Sequence, residues 1–257
     1  MKLSLSNGIF SKLSLEKNFA AVRELGFRNV EFNMKCVRKE NDTAVYAAKE
    51  QLDFSGLNCL TLHSATLHVK DEVEVHRAVY YGKISLEFAN RLCVPLMTVH
   101  SDISKKMPKH LRDRCLGIIF GELNDYAKTL NIKLALENLS YTSTGFGKNV
   151  EQLKEILQIV DDGDMGITFD FCHALETKQT ENLLEKYGKR VRNVHMANKA
   201  HKPFTKETPE LTDFLFNLHG YGYRGPITLE LEHTTSIEEI AKSRALFEKL
   251  LKNIETQ

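Results

Sequence analysis

Residues 133–173 read KLALENLSYTSTGFGKNVEQLKEILQIVDDGDMGITFDFCH, and the reading of this stretch decides the fold. Two short apolar runs, Lys133–Glu137 and Gly166–Asp170, each close on an acidic residue and are separated by a longer amphipathic segment. A short apolar run is a buried strand, and strand, helix and strand in that order build a parallel sheet covered by helices. Outward in both directions the alternation recurs, predicting strands at Lys2–Ser6, Asn29–Asn33, Cys59–His63, Leu96–His100, Arg192–Met196 and Pro226–Glu230. Eight β/α units in 257 residues fit an α/β fold of the (β/α)8 TIM-barrel type, with residues 1–257 expected to form a single domain.

Helical periodicity supports the intervening segments. Leu15, Phe19, Val22 and Leu25 recur at spacings of three and four, and Ile237, Ile240, Phe247 and Ile254 are predicted to form the buried face of a last helix. That helix opens at Ser236-Ile-Glu-Glu239, a capping-box pattern, and the first helix runs into Gly26.

Composition narrows the setting. Lys plus Arg number 35 against 34 Asp plus Glu, so no field of one sign favours nucleic acid, which is the less favoured partner. Five cysteines (Cys36, Cys59, Cys93, Cys115, Cys172) without CxxC pairs suit buried thiols in a reducing compartment. No secretory leader and no apolar run of membrane-spanning length is present, so a cytoplasmic location and no membrane partner are expected. A homo-oligomer is compatible with the sequence.

The strand ends carry the chemistry. They read Leu60-Thr-Leu-His63, Met97-Thr-Val-His100, Leu134-Ala-Leu-Glu137, Ile167-Thr-Phe-Asp170, Asn193-Val-His195 and Ile227-Thr-Leu-Glu230. Barrel closure gathers C-terminal strand ends into one ring, the place where active sites of this architecture lie. Six converging imidazoles and carboxylates repel or desolvate one another unless a cation neutralises them, and mixed N/O ligation suits a divalent metal. His173, three residues after Asp170, is placed to ligate metal or to bond a substrate oxygen, unless it caps the following helix. Glu31 is predicted to end the second strand and to orient a ligand histidine from behind; His201 follows the seventh strand on a loop. His68, His76, His110, His219 and His233 fall outside the strand-end register and receive no role. The basic clusters Lys35-Cys-Val-Arg38-Lys39 and Lys105-Lys106-Met-Pro-Lys109 are the candidates for phosphate contacts on strand-end loops.

In the ordered set Leu-Glu137-Asn, Phe-Asp170-Phe-Cys-His173-Ala, Val-His195 and Gly225-Pro-Ile-Thr-Leu-Glu230-Leu-Glu, the sequence resembles the xylose isomerase-like TIM-barrel superfamily. That group includes sugar isomerases, ketose 3-epimerases and zinc-dependent abasic-site endonucleases. The resemblance implies one divalent ion (Mn, Zn, Co or Mg) bound by Glu137, Asp170, His195 and Glu230, with Glu137 and Glu230 as catalytic bases and His173 beside the substrate. It implies proton abstraction from a ketose or sugar phosphate through a metal-stabilised enediolate. His63, His100 and His201 match positions that hold a second metal or substrate in the endonuclease branch, which makes a phosphodiesterase the alternative and a dehydratase a further one.

The chain departs from both branches. Lys199 stands two residues before His201 where the endonucleases have an aspartate, and Thr205 and Glu207 replace the glycines of that loop. Ser143 stands where the epimerases resemble one another in a glutamate, and no arginine follows His195 at the usual distance. Carbohydrate chemistry is the favoured expectation.

Overall fold

The computed structural model describes residues 1–37, 42–160 and 163–256; Arg38 and Lys39 of the first basic cluster lie outside the described residues. Eight strands alternate with helices: β1 (Lys2–Ser6), α1 (Leu15–Glu24), β2 (Asn29–Asn33), α2 (Asp42–Ser55), β3 (Asn58–His63), α3 (Val75–Arg91), β4 (Leu96–Val99), α4 (Lys109–Thr129) and β5 (Lys133–Glu137). They continue with α5 (Val150–Val160), β6 (Gly166–Asp170), α6 (Phe171–Thr177), α7 (Thr180–Tyr187), β7 (Val191–Met196), α8 (Pro209–Gly220), β8 (Pro226–Leu229) and α9 (Ile237–Glu255). Every neighbouring pair is parallel, and β8 closes on β1 with Lys2 opposite Pro226 and Leu5 opposite Leu229. The chain therefore forms the expected closed (β/α)8 barrel.

Strand alternation sorts the side chains. In β2, Phe32 points outward to stack between Phe19 of α1 and Phe88 of α3, each ring centroid 6.2 Å away, while Glu31 and Asn33 belong to the opposite, inward parity. Two residues before Ser6, His63, His100, Asp170, His195 and Glu230 the same parity puts Ser4, Thr61, Thr98, Thr168, Asn193 and Thr228, all fully buried, with Ala135 in that place below Glu137. They form a hydrogen-bonded layer across the barrel: Ser4 with Thr228 at 2.7 Å, Thr98 with Thr168 at 2.8 Å, and Asn193 Nδ2 donating to Glu31 Oε2 at 3.0 Å. Polar groups sealed from water cost little only when paired, and this layer supplies the pairs beneath the mouth.

Helix ends explain what sets the register. Ser14 caps α1, which ends in a Schellman turn: Gly26 N–H donates to Arg23 O and Phe27 N–H to Val22 O, with Gly26 at φ +82°. The same pair of bonds closes α3, α4 and α6 with Cys93, Asn131 and Lys178 at positive φ in place of glycine. The capping box at Ser236 and Glu239 opens α9 as its sequence requires. Ile240, Phe247 and Ile254 are buried, but Ile237 is exposed: as the first residue of α9 it stands a full turn before the helix meets the sheet. No helix of the described residues is long and apolar enough to cross a membrane. Of the five cysteines, all unpaired, Cys93 is exposed and Cys59 half-buried, against the expectation of buried thiols throughout.

A Cβ on Gly26 would lie 1.5 Å from Arg244 Nη1, the group that donates to Leu25 O. Gly26→Ala is therefore expected to lower stability by about 2 kcal/mol through left-handed strain and displacement of Arg244. Lys178→Gly relieves the same strain and is expected to raise it by up to about 1 kcal/mol. Urea denaturation reads both, and a neutral Gly26→Ala would contradict the role of the turn.

Candidate metal centre and active site

The barrel brings all the strand-end groups together at one mouth. Four sets of potential ligand atoms lie within 4.8 Å of one another: Glu137, Asp170, His195 and Glu230; His63, His100 and Glu137; His63, His195 and Glu230; and Asp170, His173 and His201. His100 and Glu230 sit one residue past their strands rather than at the last position. Glu31 does not end β2; it sits mid-strand opposite Thr61, one level below His63, because Asn33 occupies the true strand end.

The hydrogen bonds behind the histidines fix what they present in front. His195 Nε2 faces Glu31 Oε2 at 3.0 Å, and a carboxylate oxygen accepts, so the proton resides on Nε2. Its Nδ1 then turns a lone pair toward Glu137 Oε1 at 3.3 Å, Glu230 Oε2 at 3.2 Å and Asp170 Oδ2 at 4.0 Å. Likewise His63 Nδ1 faces Ser64 O at 3.1 Å, leaving Nε2 3.5 Å from Glu137 Oε2. His100 backs onto Asp102 Oδ1 at 3.6 Å and points Nε2 at Glu137 Oε2, 3.0 Å away.

His173 and His201 repeat the pattern. Their Nδ1 atoms face the carbonyls of Asn138 (2.8 Å) and Glu230 (3.0 Å), so both Nε2 atoms meet at 3.1 Å as acceptors. Two facing lone pairs require a shared proton or a cation between them. Asp170, not His173, caps α6: its Oδ1 accepts from His173 N–H at 2.7 Å.

The floor of the mouth is thus built of acceptors. Glu137 Oε1 and Oε2, Asp170 Oδ2 and His195 Nδ1 are buried without a hydrogen-bond partner; the close Glu137–His100 approach is an ion-pair contact lacking hydrogen-bond alignment. Burial pushes the Glu137 and Glu230 carboxyls up, but His100 and His195 outweigh it at Glu137, as His195 and His63 do at Glu230, and both are held well below the usual carboxylate range. Burial works against a charge on His195 too, yet Glu31, Glu137 and Glu230 drive its pKa well above that of a free imidazole. Asp170 is pushed up by burial, and His63 is pushed down by burial and by His100. Protons on imidazoles are the poor substitute here for a cation. The donor set of three carboxylates and one imidazole nitrogen fits a divalent ion, because the contacts of 3.2–4.0 Å are ones that bonds of about 2.1 Å from a single centre can span.

Two supporting residues were not singled out from sequence. Asn138 Nδ2 donates to Asp170 O at 2.9 Å while its Oδ1 accepts from Asp170 N–H at 2.8 Å, stapling the end of β5 to that of β6. Asp102 stands behind His100 and accepts from Leu67 N–H at 3.2 Å. Their signal was adjacency: each lies one or two residues past a predicted ligand. Above the floor opens a cavity of about 600 Å³ that His63, His100, Glu137, His173, His201 and Glu230 all line. It also takes in His233, to which the sequence assigned no role. In the second basic cluster, Lys109 pairs with Asp113 of α4 and Glu155 of α5.

Comparison with known proteins gives the same architecture. The family model described as xylose isomerase-like TIM barrel matches residues 19–252. The uncharacterized protein MJ1188 of Methanocaldococcus jannaschii is 24% identical over 271 residues, covering 99% of this chain and 97% of that one. Among solved structures, an L-ribulose 3-epimerase superposes with a TM-score of 0.84 at 13% identity, covering 100% of this chain and 96% of that one. A D-tagatose 3-epimerase-like protein gives 0.81 at 20% identity, covering 100% and 99%. The 3-keto-D-glucoside 4-epimerase YcjR of E. coli gives 0.75 at 16%, covering both chains completely. At these identities the likeness establishes the fold.

Asn138→Ala removes two buried hydrogen bonds and is expected to cost about 2 kcal/mol in urea denaturation of the metal-free protein. A change below about 0.5 kcal/mol would show that Asp170 is held in place without the staple.

Proposed function

The chain belongs to the xylose isomerase-like TIM-barrel family, and from that premise we propose that it is a divalent-metal-dependent sugar isomerase or epimerase. One observation carries the reading: Glu137 and Glu230 approach the same His195 nitrogen at 3.3 and 3.2 Å, at the floor of a cavity of sugar size. Structural neighbours named as ribulose, tagatose and ketoglucoside epimerases support it. Glu137, Asp170, His195 and Glu230 would hold the ion, which when bound supplies Lewis-acid polarisation of a carbonyl and so acidifies the adjacent C–H.

The chain's own groups do the rest. Glu137 and Glu230 are kept ionised by their imidazole neighbours, so either can accept a proton from carbon. Two carboxylates from β5 and β8 allow removal on one face of the carbon and return on the other, which inverts the centre. His173, held by Asn138 O at Nδ1 and facing His201 Nε2 at 3.1 Å, lines the cavity beside the place of a substrate oxygen. Glu31 keeps His195 in one tautomer and orientation. The site lies in a barrel mouth above a hydrogen-bonded polar layer in which Ser4 pairs with Thr228, Thr98 with Thr168 and Asn193 with Glu31.

The set His63, His100 and Glu137 favours a second ion and keeps a phosphodiesterase as the second reading. A dehydratase shares the proton-abstraction step with the favoured one.

The metal-loaded protein incubated with ketoses in D₂O is expected to place solvent deuterium on the carbon next to the carbonyl. Glu137→Gln and Glu230→Gln should each slow exchange by about 10²–10⁴-fold, and Glu31→Gln should weaken metal binding about 10–100-fold. Cleavage of an abasic oligonucleotide without deuterium exchange would replace this function with the hydrolytic one.

A further inference from the structure

The cavity has a basic wall. On the β1 and β2 side it is made by Ser6, Ser11, Lys12, Asn33 and Lys35, while Glu176 follows β6 across the barrel and Glu232 follows β8, the neighbour of β1. Those two acids are engaged, Glu232 with Lys202 and Glu176 Oε1 with the N–H of Ala200 at 3.0 Å. Lys35 is exposed, and among the described residues no carboxylate lies within ion-pair distance of it. Its backbone is pinned at the rim in a single helical turn, Met34–Cys36, where Asn33 Oδ1 accepts from Lys35 N–H at 3.0 Å. Deeper on the same wall, the Ser6 hydroxyl is buried without a partner.

We propose that this wall is the binding site for a phosphate monoester on the sugar substrate, held by Lys35 and Lys12 with the Ser6 and Ser11 hydroxyls. The inference rests on the sugar isomerase or epimerase reading and specifies its substrate class. Neutral hydroxyls of a sugar need only neutral partners, whereas lysines presented to a ligand cavity beside the hydroxyl of an unpaired buried serine match a dianion with three acceptor oxygens. The position also suits the chemistry. An anion beside Lys35 stands across the barrel from Glu176, and the substrate's other end is directed over Glu137 and Glu230. The sequence marked Lys35 as a candidate phosphate contact; its place in the cavity wall assigns that contact to a small molecule.

Calorimetric titration of the metal-loaded protein with ketopentoses, ketohexoses, their terminal phosphates, the corresponding keto-acids and inorganic phosphate tests this. A ketose phosphate is expected to bind at least about tenfold tighter than its unphosphorylated parent, with inorganic phosphate competing. Lys35→Gln should remove most of that preference, and Lys35→Arg should keep it. No phosphate preference across the panel, a preference undiminished in Lys35→Gln, or tighter binding of a keto-acid would overturn the inference. Deuterium exchange into unphosphorylated ketoses without a phosphate preference would overturn it while leaving the isomerase reading intact. A Lys35-dependent phosphate preference without exchange would support it and sink that reading.

Discussion

A neutral imidazole whose one ring nitrogen donates to a carbonyl or carboxylate must offer the other as an acceptor. In this barrel His63, His173, His195 and His201 are all backed in that way, by Ser64 O, Asn138 O, Glu31 and Glu230 O. Their free lone pairs then share one small volume with Glu137, Asp170 and Glu230. Acceptors facing acceptors away from water is an arrangement a folded chain tolerates only with positive charge among them. The raised pKa values of His100 and His195 express that demand in protons. The rest of the mouth follows from meeting it: the polar layer beneath, the Asn138 staple, and Glu31 placed behind His195 rather than beside it.

The barrel is what makes such crowding attainable. Groups more than a hundred residues apart reach one ring because parallel strands all point their C-terminal ends the same way. The period of two then places Thr61, Thr98, Thr168 and Thr228 one level below His63, His100, Asp170 and Glu230, with Asn193 in that place below His195 and Ala135 below Glu137. Ligand and supporting hydrogen bond are therefore encoded in the same few residues. Packing outside the sheet, as at Phe19, Phe32 and Phe88, fixes strand positions without touching the chemistry.

The strands and the ring of ligands were legible in the sequence because both depend on local alternation: every predicted strand is present, with ends shifted by at most one residue. What escaped was tertiary. Glu31, two residues before the end of the strand predicted at Asn29–Asn33, reaches His195 across the barrel, a pairing with no local signal. The Schellman turns at Cys93, Asn131 and Lys178 carry no glycine to announce them. Asn138 and Asp102 act through neighbours from other strands, and such partnerships have no periodicity to read. The exposed Ile237 fits the helical spacing of its face, yet it lies in the first turn, ahead of the contact with the sheet.

The most direct measurement is anomalous diffraction at the manganese edge from crystals grown with Mn²⁺. One strong peak bounded by Glu137, Asp170, His195 and Glu230, with the Glu31–His195 hydrogen bond retained, is the expected result. Full chains with no peak among those four groups, or with the ion bound elsewhere while His195 Nδ1 still faces three carboxylates, would contradict it.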